Sequence, residues 1–195
     1  MAAPPPECVR LKDGSQVEIR RVEPSDAELL AEGLEELSAE SRYRRFLGPK
    51  QAFSTKELDY LTKVDHHEHE ALVAQEPGAD RGLAVARFIK DPADRETAEV
   101  AIVVADDWQN RGLGGALLRR LAERAVEEGV RRFSATVLEA NHDVVSLLRE
   151  LGPIEVHHAG SGVADLRVEL PHGEPCPPVV REALRAAARG DLKLV

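Results

Sequence analysis

One stretch of this chain, residues 105–116 (ADDWQNRGLGGA), limits its possible folds more than any other. An apolar run at 100–105 leads through a short polar turn into a segment of helical spacing whose first residues include Gly112, Gly114 and Gly115. A strand, a turn and a helix start in that order aim unpaired backbone amides at one point, and the helix dipole favours negative charge there. Glycine lets the backbone approach closely because no Cβ intervenes. Arg111 adds a donor suited to phosphate. Glycines in a first helical turn cost about 1 kcal/mol each in helix propensity, so they need a use. Tight packing of helix on strand is one, and an approach to a pyrophosphate is the other. Two familiar phosphate loops do not fit. A Walker loop requires Gly-Lys-Ser/Thr, and no lysine follows. A dinucleotide fingerprint requires a third glycine where Leu117 stands, after an early parallel strand.

The flanking patterns supply the rest of the architecture. Residues 17–22 alternate apolar and polar and predict a first strand. Ser25 with Glu28 forms a capping-box pattern for a helix running to about residue 37, and Ser54 with Glu57 starts a second carrying Leu58 and Leu61. Between them lies the basic, aromatic segment 41–46, short helical or irregular. Strands at 71–75, 82–89 and 98–105 are separated by the Pro77-Gly78 and Asp91-Pro92 turns, so they predict an antiparallel meander. A helix at 112–128 follows, ended by Gly129, then a strand at 132–138 and a helix at 141–151 closed by Gly152-Pro153. Strands at 154–158 and 163–170 are joined by the hairpin signal at 159–162. The expected fold class is α/β: a mixed sheet in which an antiparallel meander is followed by β-α-β-α-β. Residues 1–8 are expected to be a frayed, disordered N-terminus and 9–170 a single domain. Residues 171–178, half of them proline, are expected to be a stiff linker to a short amphipathic helix and tail at 179–195.

Composition excludes several classes. With 26 basic and 35 acidic side chains the net charge is −9, which disfavours a non-specific nucleic-acid binder and leaves room for cationic substrates such as amines. The longest apolar run is far short of the ~18 residues of a spanning helix, and no basic start followed by an apolar run suggests a secretory leader. The only cysteines, Cys8 and Cys176, stand near opposite ends, which fits a reducing cytoplasm. The segment Asp65-His66-His67-Glu68-His69-Glu70 invites a metal reading. It shows no evident fourth ligand, so no metal is expected, and substrate binding or a pH response is the preferred role.

The motif Gln109-Asn110-Arg111-Gly112-Leu113-Gly114 matches the Q/R-x-x-G-x-G/A signature of the GNAT family of N-acetyltransferases. Set between a strand and a long helix, it makes residues 9–170 resemble that family. Within the family the chain looks most like the bacterial protein-lysine acetyltransferase branch, through residues 11–15 (LKDGS), 41–46 (SRYRRF), 65–74 (DHHEHEALVA) and 98–101 (AEVA). The resemblance implies acetyl-CoA as donor. Its pyrophosphate would rest on Gln109, Asn110, Arg111, Gly112, Leu113, Gly114, Gly115 and Ala116, and its pantetheine arm on the backbone near Ile102, Val103 and Val104. Asn141 either contacts the CoA arm or simply caps its helix. Arg42, Arg44 and Arg45 either meet CoA phosphates or an acidic partner, or form a solvated basic segment.

The resemblance also places a catalytic glutamate in the third meander strand, and Glu99 is the candidate. It shares a side with Ala101 and Val103, where part burial would tune it as a general base; the bland reading is a self-solvating rim residue. Many members carry a tyrosine as general acid where this chain has Leu148, so the thiolate would leave unprotonated or take a proton from water. A backbone amide of Val103 or Val104 would meet the oxyanion. The expected function is that of an acyltransferase moving an acetyl group to a primary amine, with protein lysine as the leading acceptor. A small-molecule amine acetyltransferase and a non-catalytic acyl-CoA-binding module are the alternatives. The expected partner is the amine substrate, with neither nucleic acid nor membrane, and a homodimer is left open.

Overall fold

Short turns between strongly apolar, alternating segments force neighbouring strands to pair, and the meander forms accordingly. In the computed structural model, which describes residues 5–160 and 162–171, β3 (His69–Gln75), β4 (Gly82–Lys90) and β5 (Thr97–Val104) run antiparallel in sequence order. They are flanked on one side by β1 (Glu7–Arg10) and β2 (Gln16–Arg21) and on the other by β6 (Arg132–Leu138), β7 (Ile154–Gly160) and β8 (Val163–Glu169). The described residues form one eight-stranded sheet in the order β1-β2-β3-β4-β5-β6-β8-β7. Helix α4 (Leu113–Glu127) carries the chain from β5 to β6, which pair in parallel, and α5 (His142–Arg149) carries it from β6 to β7. The mixed α/β sheet expected from the sequence is the one observed.

Strand alternation divides the core between two faces. Leu72, Ala74, Ala84, Ala86, Phe88, Ala98 and Val100 point to the face covered by α4 and pack with its Leu113, Leu117, Leu118, Leu121 and Ala125. Ala71 and Val73 point the other way and pack with Val22, Leu29, Val64 and Val85. On that second face lie α1 (Ala27–Glu36), α2 (Ala39–Phe46) and α3 (Thr55–Thr62). The Ser54 box forms as the sequence implies: the Ser54 amide donates to Glu57 Oε2 at 2.8 Å, and the Glu57 amide to Ser54 Oγ at 3.3 Å.

Two local expectations change. Glu7 and Cys8, assigned to a frayed end, pair with Ile19 and Glu18. Edge pairing uses main-chain groups alone, so it leaves no apolar signature to read. The helix after β2 is entered earlier than Ser25, through a short turn at Pro24–Asp26. There the Glu23 amide donates to Asp26 Oδ2 at 2.7 Å, and Asp26, 5% exposed, is paired with Arg20 at 2.8 Å. The linker expected at 171–178, apart from Pro171, and the helix and tail expected at 179–195 lie outside the described residues, as do residues 1–4. No helix among the described residues is long and apolar enough to cross a membrane.

Strands β5 and β6 stay together only briefly. They pair at Thr97↔Arg132, Ala98↔Phe133 and Glu99↔Ser134, after which β6 continues on β8 as far as Leu138↔Val163 while β5 continues on β4. The gap between them is a wedge open at its wide end. At the far edge, Gly152 turns the chain against β8, and a Cβ there would lie 2.0 Å from the Glu169 carbonyl oxygen. Gly152→Ala must therefore displace β8 backbone, and a loss of about 1–3 kcal/mol in urea unfolding is expected; an unchanged midpoint would rule out this close approach.

Candidate functional site

The wedge between β5 and β6 opens into a cleft of about 600 Å³. Its wall is the bare edge of β5. The Ala105 amide donates to the Leu83 carbonyl on β4, and main-chain groups alternate sides along a strand. The polar groups of Val103 are therefore turned to β4, whereas those of Ile102 and Val104 face the open edge. Of the three residues proposed for backbone contacts, Ile102 and Val104 present them and Val103 does not. The Val104 carbonyl is already taken by the Gln109 side chain, whose Nε2 donates to it at 3.2 Å. Gln109 also reaches Ser41 Oγ at 3.2 Å, so its side chain braces the turn.

Beyond the wide end of β5 the turn delivers the amides that the sequence implies. Asn110 and Gly112 both adopt positive φ, 61° and 88°, and Gly112 is the N-cap of α4. The six consecutive amides from Asn110 to Gly115 donate to no acceptor among the described residues. Ala116 is where the helix begins to use its own donors: its amide bonds the Gly112 carbonyl at 3.1 Å, so it is not available to a ligand. The Leu113 side chain is 1% exposed and belongs to the core, so only its amide faces the turn. The Arg111 guanidinium lies 4.7 Å over the Trp108 ring and 4.0 Å from Asp13, outside the cleft lining.

The glycines divide the two uses between them. Gly112 holds the positive φ, and a Cβ there would meet Lys12 Cγ at 3.3 Å. Lys12 thus lies over the turn, a cleft-lining cation from the 11–15 motif to which the sequence alone gave no role in the site. Gly114 serves close packing, because its Cβ would stand 3.0 Å from Leu147 Cδ1 and 3.5 Å from Val104 Cγ2. Gly115 lies between the Arg119 and Glu150 side chains, at 3.3 and 3.4 Å from its would-be Cβ.

Helix α2 roofs the cleft, and an unforeseen carboxylate ties it down. Asp106 Oδ2 accepts the Ser38 amide at 2.7 Å, and its Oδ1 accepts the hydroxyls of Ser41 at 2.6 Å and Ser38 at 3.1 Å. Ser38 in turn caps α2 by accepting the Ser41 amide at 3.1 Å. Burial acts to raise the Asp106 pKa, but the Ser41 hydroxyl and the Ser38 donors outweigh it, and the group lies below the usual carboxylate range. The Ser38-x-x-Ser41 pattern before an aromatic segment was the available signal for a helix start. Nothing in it names the partner, which is 68 residues away in the chain. Across the wide end, Arg44 on α2 meets Asp143 on α5 at 3.3 Å.

Glu99 lines the cleft at the last pair before β6 departs. The part burial expected there is absent: the residue is exposed. The charge that acts with it is the half-buried Arg45 of α2. Burial pushes the Arg45 pKa down and the Glu99 carboxylate opposes that shift. Asn141 caps α5, its Oδ1 accepting the Val144 amide at 3.4 Å, and it also lines the cleft. Its Nδ2 has no partner among the described residues, so the capping role leaves a donor free. Leu148 is 1% exposed and packs in the core.

The histidine-rich segment separates rather than converges. Asp65 accepts the amides of His67, Glu68 and His69 at 2.8, 2.8 and 3.0 Å, curling the loop around its carboxylate. His66 meets Glu70 at 2.6 Å, His67 meets Glu128 at 3.0 Å and His69 meets Arg87 at 3.1 Å. No group of three potential ligands among the described residues is placed to hold a metal ion.

Comparison with known proteins agrees with this geometry. Residues 31–152 match the family described as Acetyltransferase (GNAT) family. Acetyltransferase Pat of Mycolicibacterium smegmatis is 33% identical over 192 residues, a match covering 97% of this chain and 57% of that protein, so the chain spans little more than half of that relative's length. The crystal structure of the GNAT domain of S. lividans PAT superposes with a TM-score of 0.77 at 32% identity, covering 85% of this chain and 97% of that one. The fold is shared by yncA of Salmonella typhimurium, solved with its cofactor acetyl-CoA, at a TM-score of 0.61 and 19% identity over 81% of this chain and 96% of that one.

The Asp106 tie generates a prediction with a definite pH sense. Its folded pKa is depressed, so its stabilisation is complete above the unfolded value of about 3.9 and is lost as pH falls through the folded value. Asp106→Asn should lower stability by about 1 kcal/mol at pH 7, a modest figure because the group is open to solvent. The deficit should shrink below about pH 4, and amide exchange should quicken at Ser38 and along α2. A deficit independent of pH would remove the carboxylate from this role.

Proposed function

The chain belongs to the acetyltransferase (GNAT) family, and from that premise we propose that it transfers an acetyl group from acetyl-CoA to a primary amine, with a protein lysine as the leading acceptor. The observation that carries this reading is the row of unbonded amides from Asn110 to Gly115, at a helix N-terminus and next to the bare edge of β5. A diphosphate satisfies such amides and the positive end of the helix dipole together. The pantetheine arm then runs along the open main-chain groups of Ile102 and the open amide of Val104, and brings the thioester toward Glu99. Lys12 and the Asn141 amide group stand on the same cleft as further donors.

The chemistry needs three things from the protein. The attacking amine must be neutral, and an amine of pKa near 10 is mostly protonated at neutral pH. Glu99, exposed to the cleft, takes that proton directly or through water. The nitrogen lone pair attacks the thioester carbonyl carbon, and the open-edge amide of Val104 donates to the oxyanion that forms. The carbon–sulfur bond then breaks, leaving the acetylated amine and the CoA thiolate. With Leu148 where a general acid would stand, the thiolate leaves as the anion or takes its proton from solvent. The transferase unit is residues 9–170, and a reducing cytoplasm suits its chemistry. Lysine as acceptor rests on the likeness to Pat; a small amine requires the same catalytic groups and a different acceptor groove.

Calorimetric titration with acetyl-CoA, thiol release across an amine panel and intact mass of candidate protein acceptors test the reading in sequence. Glu99→Gln should lower kcat by about 100-fold or more with the acetyl-CoA Kd unchanged; near-normal turnover would remove Glu99 from the mechanism. Gly112→Ala strains a positive φ and crowds Lys12, so the acetyl-CoA Kd should rise about tenfold, with kcat at saturation little changed. Tight binding without thiol release for any acceptor would favour an acyl-CoA-binding module instead.

A further inference from the structure

On the α2 side of the sheet, next to Glu99, stands a buried arginine without a carboxylate. Arg87 lies in the middle of β4, between Ala71 and Ala101, and is 6% exposed. Its Nη1 donates to the Leu61 carbonyl at 3.2 Å and to His69 Nε2 at 3.1 Å. Its Nε and Nη2 meet no acceptor among the described residues, yet no buried side-chain nitrogen there is sealed off without a partner, so these donors retain access to open space. Burial and then the neighbouring Arg45 lower its pKa to about 10. His69 cannot supply a countercharge. Burial and then Arg87 bring its pKa down to about 4, so it is a neutral acceptor at neutral pH.

Arg45 is the second cation. Its guanidinium makes no hydrogen bond among the described residues and lies 5.0 Å over the Phe46 ring. Both arginines line a small pocket of about 70 Å³ whose other walls include Leu34, Phe53, Leu61 and Val103; Glu36, the one carboxylate on it, is paired with Arg81 at 2.8 Å. Arg45, Phe46 and Val103 are shared with the main cleft, so the two spaces adjoin beside Glu99. Glu99 pairs with Ile89, two residues along β4 from Arg87. That makes Glu99 and Arg87 diagonal neighbours on one face, roughly 7–8 Å apart. Two guanidiniums facing an apolar pocket repel one another and have lost water. A ligand anion would relieve both, and the planar fork of arginine suits a carboxylate held by two parallel bonds.

We propose that Arg87 and Arg45 form an anion subsite that selects acceptors carrying a carboxylate close to the reacting amine. The proposal deepens the acetyl-transfer reading and rests on it for the identity of the acceptor. The amine addresses Glu99 while the anion addresses the arginines, so one ligand spans both charges. The single bond from Arg87 to the Leu61 carbonyl, which tethers α3, needs one donor and does not require a guanidinium. The anion has two chemical sources, an acidic residue beside a lysine in a protein or the carboxylate of a small amine.

Matched pairs that differ only in carboxylate against carboxamide separate these sources. One arm uses free amino acids and their amides; the other uses lysine peptides with Glu or Gln beside the lysine. In a thiol-release assay the carboxylate member of at least one arm should show a kcat/KM about 10- to 100-fold higher. In Arg87→Met that ratio should fall toward one while the acetyl-CoA Kd stays as in the wild type. The ratio, not the absolute rate, is the readout, because loss of a tether alone slows both members alike. Should Arg87→Met not fold, Arg45→Gln carries the same test. Calorimetric binding of the same pairs to the CoA-saturated protein reads the subsite without turnover. Absence of thiol release with a retained binding preference overturns acetyl transfer and keeps the subsite. No preference for carboxylate in either assay, or a preference unaltered in the variant that folds, overturns the subsite.

Discussion

The site depends on the parting of β5 from β6. Three residue pairs hold the two strands parallel, and beyond Glu99 each follows a different neighbour. A strand edge stripped of its partner presents main-chain donors and acceptors that must be satisfied by water or by a ligand. Here that edge is held in place by β4 on its other side, so it is rigid as well as bare. The separation also gives α4 a free N-terminus: the helix starts inside the wedge, and its first amides meet solvent instead of protein.

The wedge is kept open by packing on one face and roofed by hydrogen bonds on the other. Leu147 of α5 fits against Gly114, where a Cβ would stand 3.0 Å away, and this close fit seats α5 and α4 side by side behind the cleft. On the opposite face, α2 is anchored through Asp106 to the same turn that carries the amide row. Donor and acceptor sides are thereby coupled mechanically. The turn that would hold a diphosphate also positions the helix bearing Arg45, and Arg45 acts on Glu99. The net charge of −9 gives no hint of the two arginines, Arg87 and Arg45, that line the pocket beside Glu99.

Legibility followed the range of the interactions. The turn at 105–116, the meander and the Ser54 cap were readable because each is decided by residues a few positions apart: glycine against a positive φ, proline against a ladder, a hydroxyl against an amide three residues on. Strand β1 escaped because an edge strand needs no apolar alternation. The exposure of Glu99 escaped because it depends on how the helices cover its face of the sheet, which no residue near Glu99 records. Arg87 escaped because in the sequence it is one polar residue in an apolar strand, and its lack of a carboxylate is a fact about β3, α2 and α3 together.

The sequence by itself determined the strand–turn–helix at residues 100–127, the order of the elements from β2 onward and the family to which they belong, since these rest on local conformational preference and short-range periodicity. Only the tertiary structure decided which main-chain groups of β5 are open, that the amide of Val104 and not that of Val103 is turned to the cleft, that Asp106 holds the roof, and that two guanidiniums stand beside Glu99. Each of these is set by strands and helices distant in the chain competing for the same donors, acceptors and space, and that competition is resolved only once the sheet is assembled.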